Sequence, residues 1–195
     1  MATRRANPEV SLKGREVLVG VTGGIAAYKT AALVSRLVQE GATVSVVMTE
    51  AATRFVGPLT FQTLTSRPVY VDQFAAPEAY HTDHIALADR AEIMVVAPAT
   101  ANIIGKLANG IADDLLSTLL LALDVPVLMA PAMNVHMWNH PAVQANVAAI
   151  RSRCVHFIGP EEGRLACGTS GKGRMAEPDD IFDELVKLMG GRAKA

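Results

Sequence analysis

Two apolar runs rich in β-branched residues constrain the fold of this chain more than any other feature. Residues 93–97 read IMVVA and residues 125–130 read VPVLMA. Uninterrupted runs of this length and composition are typical of strands buried on both faces of a parallel sheet. Each run leads into a Pro-Ala pair and then reaches an amide, at Asn102 and at Asn134. Because open α/β sheets bind their ligands beyond the carboxyl ends of the strands, the sequence predicts a ligand site at that edge.

The rest of the chain alternates predicted strands with predicted helices. A strand over residues 16–21, a helix over 25–39 and a strand over 43–48 form a βαβ unit. Further helices are predicted at residues 49–55, 58–65, 84–90, 101–107, 113–123, 141–153 and 180–189, and short strands at 69–74 and 155–158. This alternation predicts a three-layer α/β fold with a doubly wound, flavodoxin-like or Rossmann-like parallel sheet in a single domain.

The boundaries of this domain follow from the same pattern. We expect it to cover residues 15–190, with residues 1–14 as a flexible arm and residues 191–195 as a tail. A chain of 195 residues is large enough for one domain with its own core. The glycine-rich segment 159–178 is predicted to be a loop, and Cys154 is predicted to be a small buried hydrophobe beside the last strand.

Composition and charge exclude several classes of function. A net charge of −1 and an aromatic content of 5% give no basis for a nucleic-acid partner. The longest apolar run, around residues 115–123, is too short to cross a bilayer. Two cysteines and the lack of an apolar segment near the first residue predict a reducing, cytoplasmic location. The hydrophobic content of 50% favours an oligomeric interface in addition to a large core.

A glycine pair lies between the first predicted strand and the first predicted helix. Gly23 and Gly24 at this position let backbone N–H groups approach a phosphate, although the same pair also suits a plain tight turn. The dinucleotide spacing G-x-G-x-x-G is absent. Thr49, not an acidic residue, ends the second strand, which favours a mononucleotide such as FMN over NAD.

The histidines and cysteines do not predict a metal site. His81 and His84 are three residues apart, but no carboxylate or cysteine cluster accompanies them. Cys167 lies among glycines and near the cations Lys172 and Arg174. Nearby positive charge stabilises a thiolate, and a mobile loop can close over a ligand. This segment therefore predicts a reactive thiol, with an ordinary surface loop as the alternative.

The glycine pair, His84, the two Pro-Ala turns and the segment around Cys167 resemble, in this order along the chain, the motifs of the flavin-containing cysteine decarboxylases. The resemblance covers residues 15–188. The resemblance implies that FMN is bound by Gly23, Gly24, Ile25, Pro98, Ala99, Thr100 and Asn102. Thr49 is added to this set because it lies at the end of the second predicted strand. The implied catalytic residues are His84, Asn134 and Cys167, and the implied substrate-binding residues are Met133, Asn134, Ala166, Arg174 and Met175. Segment 159–178 corresponds to the family's substrate clamp.

The resemblance points to the bacterial branch that decarboxylates 4′-phosphopantothenoylcysteine to 4′-phosphopantetheine in coenzyme A biosynthesis, an FMN-dependent carboxy-lyase reaction. It implies that His84 helps to form a thiolate, that Asn134 binds the substrate carboxylate and that Cys167 donates the last proton. Arg174 is left with two roles, contact with the substrate phosphate or positioning of the loop. The resemblance also implies a homo-oligomer, a trimer or a dodecamer. Besides further copies of this chain, the resemblance implies one partner, a phosphopantothenate–cysteine ligase, as a fused domain or a separate protein.

Other functions share parts of this pattern. An FMN-dependent oxidative decarboxylase of a peptide's C-terminal cysteine has the same FMN site and the same use for His84 and Asn134. A prenylated-flavin synthase shares the fold but has no use for these residues. A non-catalytic flavoprotein regulatory subunit would lack the histidine or the cysteine, whereas this chain has both His84 and Cys167.

Overall fold

The computed structural model describes residues 11–73, 83–164, 168 and 170–190. Its main sheet consists of β1 (Glu16–Val21), β2 (Thr43–Met48), β3 (Val69–Tyr70), β4 (Ile93–Ala99), β5 (Val127–Pro131) and β6 (His156–Phe157). The strand order is β3-β2-β1-β4-β5-β6, and every neighbouring pair is parallel. The predicted doubly wound parallel sheet is therefore confirmed.

Helices cover both faces of this sheet. They are α1 (Ala27–Gln39), α2 (Glu50–Thr53), α3 (Pro58–Thr65), α4 (Asp83–Arg90), α5 (Ala101–Asn109), α6 (Leu115–Ala122), α7 (Val135–Asn139), α8 (Pro141–Arg151) and α9 (Pro178–Gly190). Two apolar clusters result. The first joins the sheet to α1, α3 and α9, and the second joins it to α4, α5, α6 and α8. The three predicted layers are present.

The alternation of side chains along β1 explains the two clusters. Val17 and Val19 belong to the first cluster, whereas Leu18 between them belongs to the second. Successive side chains of a strand point to opposite faces, so a run of apolar residues can fill both layers. Burial of a large side chain such as Leu33 of α1, which is fully buried, contributes about 1.5–3 kcal/mol.

The direction of the winding changes between β1 and β4, which lie side by side in the sheet. After β1 the chain enters α1 on the face of the first cluster, and after β4 it enters α5 on the face of the second. The two connections therefore separate at the carboxyl edge of the sheet. A crevice at such a switch point is where doubly wound folds bind their ligands.

Part of the segment 159–178, predicted as a loop, is a β-hairpin. Strand β7 (Glu161–Arg164) pairs antiparallel with β8 (Ser170–Arg174). The sequence prediction was wrong here because EEGR and SGKGR contain neither β-branched nor aromatic residues and no apolar alternation. Backbone pairing and a contact with the end of β5, described below, hold these strands in place.

Two further expectations differ from the structure. Cys154 is exposed, not buried, because it lies in the turn that ends α8 and adopts a left-handed conformation with φ of 64°. Helices commonly end on a residue of this conformation. Strand β4 also continues through Pro98 and Ala99, which were predicted to follow it.

Within the described residues, no helix combines the length and the apolar character that crossing a membrane requires.

Candidate functional site

A cleft of about 420 Å³ lies at the carboxyl edge of the sheet, at the switch point between β1 and β4. Four of the residues that the sequence predicts to bind a cofactor line it, namely Gly23, Thr49, Thr100 and Asn102. They come from the ends of β1, β2 and β4, which are distant in sequence. The structure brings them together because parallel strands all end at the same edge.

The other predicted cofactor residues flank this cleft. Pro98 and Ala99 are buried in β4, and Ile25 is exposed beside the glycine pair. A Cβ atom added to Gly24 would lie 3.7 Å from Pro98 and from Thr100. Residues 22–26 between β1 and α1, called the glycine loop below, therefore lie against the end of β4. The cofactor contacts of these flanking residues stay a prediction.

Two buried threonine hydroxyls attach the glycine loop and α1 to the end of β4. Thr22 Oγ1 donates to the carbonyl oxygen of Pro98 at 2.6 Å and accepts from the backbone N–H of Thr100 at 3.2 Å. Thr30 Oγ1, on α1, donates to the carbonyl oxygen of Ala97 at 2.6 Å. These bonds fix two walls of the cleft relative to each other. Thr22 was not among the predicted site residues, although a polar residue directly after a buried strand is a usable signal.

Thr22→Val is expected to lower the free energy of unfolding by about 1–3 kcal/mol, because it leaves a buried carbonyl and a part-buried N–H without their shared partner. Urea denaturation measures the change. Thr63→Val is the matched control, since the Thr63 hydroxyl also donates to a carbonyl, that of Leu59, but is exposed to water. Equal losses in the two variants would contradict the fastening role of Thr22.

The glycine loop also packs tightly against the start of α2. A Cβ atom added to Gly23 would lie 2.5 Å from the Cβ of Ala51 and 3.0 Å from its carbonyl carbon. Thr49 caps α2, since its hydroxyl oxygen accepts from the backbone N–H of Ala52 at 3.3 Å. Only glycine therefore fits at position 23, and Thr49 has a structural role in addition to lining the cleft.

Two helices begin at the cleft without a side-chain cap. The residue before α1 is Ala26, and the residue before α5 is Thr100, and neither side chain accepts a hydrogen bond from its helix within the described structure. The first N–H groups of a helix carry partial positive charge and bind anions well. The cleft therefore suits a ligand that carries phosphate.

One wall of the cleft contains an ion cluster that the sequence analysis did not identify. Lys106 Nζ lies 2.6 Å from Asp113 Oδ1 and 2.6 Å from Asp114 Oδ2. Asp114 also caps α6 by accepting from the N–H of Ser117 at 2.7 Å. These three residues meet only in the folded chain, so their spacing along the sequence gave no signal.

This cluster changes the pKa values of its members. Burial alone would raise the pKa of Asp114, but its hydrogen bonds with Lys106 and Ser117 outweigh burial and hold the pKa below the ordinary 3.8. The hydrogen bond with Lys106 likewise lowers the pKa of Asp113. A carboxyl group with a lowered pKa stabilises the folded protein at every pH above the pKa that the group has in the unfolded chain. This stabilisation is lost as the pH falls through the lower pKa of the folded state. The wall is therefore fully stabilised at neutral pH and weakens in acid.

The second predicted turn, residues 131–134, lies next to the cleft. The backbone N–H of Ala132 donates to the carbonyl of Ala99 at 3.1 Å and joins the ends of β5 and β4. Asn134 caps α7, since its Oδ1 accepts from the N–H of His136 at 2.8 Å. Met137 of this helix lines the cleft. One short helix therefore connects Asn134 with the wall of the cleft, and sequence patterns did not predict that helix.

The sequence profile of the flavoprotein family matches residues 5–190 of this chain. The chain belongs to the flavoprotein family. It is 57% identical over 170 residues to the coenzyme A biosynthesis bifunctional protein CoaBC of Bacillus subtilis, and the alignment covers 87% of this chain and 42% of that protein. This flavoprotein thus spans about two fifths of the length of that curated relative.

Solved structures with the same fold include two decarboxylases. A cysteine-to-serine mutant of PPC decarboxylase complexed with pantothenoylaminoethenethiol has a TM-score of 0.81 at 31% identity, covering 92% of this chain and 100% of that one. The FMN-dependent cysteine decarboxylase SpaF has a TM-score of 0.80 at 29% identity, covering 92% and 99% of the two chains. The doubly wound parallel α/β fold is therefore shown independently of the strand pattern.

The remaining predicted site residues of the flavoprotein are only partly described. His84 is the second residue of α4, but its side chain lies outside the described structure, as do Ala166 and Cys167. Met175 is buried in the first apolar cluster. The roles of these residues stay predictions. Within the part of the chain that the structure describes, no three His, Cys, Asp or Glu residues are grouped so that they could hold a metal ion.

Arg174 has carboxylate partners. Its Nη2 lies 2.8 Å from Glu161 Oε2 and 3.4 Å from Glu177 Oε1. The hydrogen bond with Glu161 is the largest of the effects that raise the pKa of Arg174. Met133, the neighbour of Asn134, donates from its backbone N–H to the carbonyl of Gly173 at 3.0 Å. The hairpin is therefore attached to the predicted substrate-binding turn.

Proposed function

We propose that this flavoprotein binds FMN in the cleft and decarboxylates 4′-phosphopantothenoylcysteine to 4′-phosphopantetheine, a step of coenzyme A biosynthesis. One observation carries the proposal: the cleft that the predicted cofactor residues line is also lined by Met137, on the helix that Asn134 caps. The cofactor and substrate motifs are thus adjacent in space. The identity to CoaBC and the likeness to PPC decarboxylase support the choice of substrate.

The residues of the cleft fit FMN. A volume of about 420 Å³ lies within the range of small-molecule sites, about 300–1,000 Å³. The start of α5 would hold the phosphate, because no side chain caps its first N–H groups, whereas at the start of α1 the N–H groups of Ala27 and Lys29 already donate to backbone carbonyls. Thr100 and Asn102 would supply hydrogen bonds to polar atoms of the cofactor, and Ile103 and Met137 would supply apolar contact.

FMN, when bound, supplies a reversible two-electron acceptor for the Cβ–S end of the substrate cysteine, so that a thiocarbonyl β to the carboxylate allows CO₂ to leave. Asn134 would donate from Nδ2 to the substrate carboxylate, because its Oδ1 is the acceptor of the helix cap. A neutral amide orients a carboxylate without stabilising its charge as strongly as a cation. By resemblance, His84 would hold the substrate thiolate and Cys167 would donate the proton that completes the product.

The functional unit in this proposal is a homo-oligomer, with a trimer or a dodecamer as the expected arrangement. Large exposed apolar side chains support it: Ile25, beside the glycine pair, is 59% exposed, Tyr28 of α1 is 61% exposed and Leu59 of α3 is 71% exposed. Exposed apolar surface is typical of protein interfaces. Sedimentation of the FMN-loaded protein tests this point, and a monomer would contradict it.

The substrate contains a cysteine joined to a phosphorylated acid, so a ligase that forms this amide must act before the decarboxylase. In this proposal a phosphopantothenate–cysteine ligase is that partner, as a further domain or a separate protein. The support comes from the CoaBC relative, which is named bifunctional and of which this chain covers 42%.

The direct test compares two substrates on FMN-loaded protein. We expect kcat/KM for 4′-phosphopantothenoylcysteine to exceed that for a cysteine-terminated peptide by about 100-fold or more, since a site built for one polar substrate rejects analogues without its groups. A preference for the peptide would instead favour the alternative function, the decarboxylation of a peptide's C-terminal cysteine. Turnover of neither, with FMN firmly bound, would indicate a non-catalytic flavoprotein.

A further inference from the structure

Arg174 lies at the base of the hairpin, at the position where β8 leaves its partner strand. In the register of the hairpin it is opposite Glu161, the first residue of β7. Its guanidinium bridges Glu161 at 2.8 Å and Glu177, just beyond β8, at 3.4 Å. The guanidinium of Arg174 therefore has a carboxylate partner at each end of the hairpin base, although its side chain is 43% exposed.

The same ion cluster reaches the helix that follows the glycine loop. Lys29 Nζ, on α1, donates to Glu177 Oε1 at 2.8 Å, and the Lys29 side chain is only 15% exposed. The cluster contains two cations and two carboxylates, Lys29, Arg174, Glu161 and Glu177, so its formal charge is zero. A phosphate that approached Arg174 would also meet both carboxylates, whose repulsion offsets the attraction of the guanidinium.

The other face of β8 packs against the turn that carries Asn134. Gly173 accepts a hydrogen bond from the N–H of Met133 at 3.0 Å. A Cβ atom added to Gly171 would lie 2.9 Å from Cγ2 of Val135, so the strand and the start of α7 are in close contact. A shift of the hairpin base would therefore move the backbone on both sides of Asn134.

We propose that Arg174 is a positioning residue that clasps the hairpin base to α1 and thereby holds Asn134 in place, and that it does not bind the substrate phosphate. This inference rests on the proposed function for its kinetic consequences. The clasp itself, from Lys29 through Glu177 and Arg174 to Glu161, exists without substrate. Misplacement of a substrate-orienting group by about 1 Å can cost up to about 100-fold in rate, so a contact away from the reacting atoms can matter for turnover.

The first arm of the test measures hydrogen exchange by mass spectrometry, without substrate, in the peptide that contains residues 131–135. We expect Arg174→Ala, Glu161→Gln and Glu177→Gln each to speed this exchange several-fold. Lys172→Ala is the matched control, because it removes the same charge from the same face of β8, and Lys172 has no ion pair with a carboxylate among the described residues. Unchanged exchange in the three clasp variants would overturn the proposal.

The second arm compares pantothenoylcysteine with and without its phosphate. We expect Arg174→Ala to lower kcat/KM about tenfold or more on both compounds, so that the preference for the phosphorylated one stays within about twofold of wild type. Glu161→Gln, which preserves side-chain volume, is expected to act in the same direction. Loss of the preference alone, through a higher KM for the phosphorylated compound, would make Arg174 a phosphate ligand. Wild-type protein that turned over neither compound would contradict the proposed function, and the exchange arm would still decide the role of Arg174.

Discussion

Gly23→Ala is expected to weaken FMN binding by about 10- to 100-fold. The added Cβ would meet the Cβ of Ala51 at 2.5 Å and its carbonyl carbon at 3.0 Å, and a backbone atom at the start of α2 cannot move aside as a flexible side chain can. Overpacking of this kind costs about 1–3 kcal/mol, and each 1.4 kcal/mol changes an affinity tenfold. The glycine loop must therefore move, and it forms one wall of the cleft. Titration of apoprotein with FMN, followed by quenching of flavin fluorescence, measures the change.

Gly57→Ala is the control for this experiment. Gly57 has an ordinary extended conformation with φ of −68° and ψ of 144°, and an added Cβ would meet no atom within 4 Å. This variant is expected to bind FMN as the wild type does. If folded Gly23→Ala protein were as yellow as the wild type at equal concentration, the cleft would not be the FMN site.

Asn134→Asp is expected to lower kcat/KM by about 100- to 1,000-fold while FMN stays bound. The aspartate retains the oxygen that accepts from the N–H of His136, so the cap of α7 is preserved. It replaces the donor end of the amide by a negative charge next to the substrate carboxylate. Like charges brought together in a binding site cost several kcal/mol. Steady-state kinetics and the visible spectrum of the bound flavin separate the loss of turnover from any loss of cofactor.

Asn139→Asp is the matched control, because it makes the same change on an exposed residue at the other end of α7. It is expected to retain turnover. Asn134→Ala removes both the amide and the cap, and is expected to cost about 0.5–2 kcal/mol of stability as well. Wild-type turnover in Asn134→Asp would contradict the carboxylate-binding role of Asn134.

Two of the strands with apolar, β-branched cores could be predicted to the residue, whereas the predicted ends of β4 and β5 differ from the structure by one or two residues. Both β1 (Glu16–Val21) and β2 (Thr43–Met48) have the predicted bounds, as does α3 (Pro58–Thr65), which starts at a proline. Burial on both faces leaves little choice of residue type in such strands. The hairpin β7–β8 could not be predicted, because its pairing depends on backbone bonds and on the contact of Gly173 with Met133, which leave no apolar pattern.

In the candidate site, too, some residues could be predicted from the sequence pattern, and others depend on tertiary contacts. Gly23, Thr49, Thr100 and Asn102 were predicted together because the topology of a parallel sheet places the ends of its strands at one edge. The cluster around Lys106 was missed, since its ion pairs form between the C-terminal part of α5 and the cap of α6 only after folding. Sequence patterns predict the strands, the helices and the residues at their ends. The polar residues that complete the walls of the cleft depend on contacts between elements that form only in the folded chain.

Anaerobic mixing of FMN-loaded protein with 4′-phosphopantothenoylcysteine tests the central claim most directly. Visible flavin absorbance and released CO₂ are followed in the same reaction. We expect the absorbance to fall and then recover, while one CO₂ is released for each substrate consumed and no external oxidant is needed. Release of CO₂ at the full rate from protein without FMN, or a flavin spectrum that never changes during turnover, would contradict it.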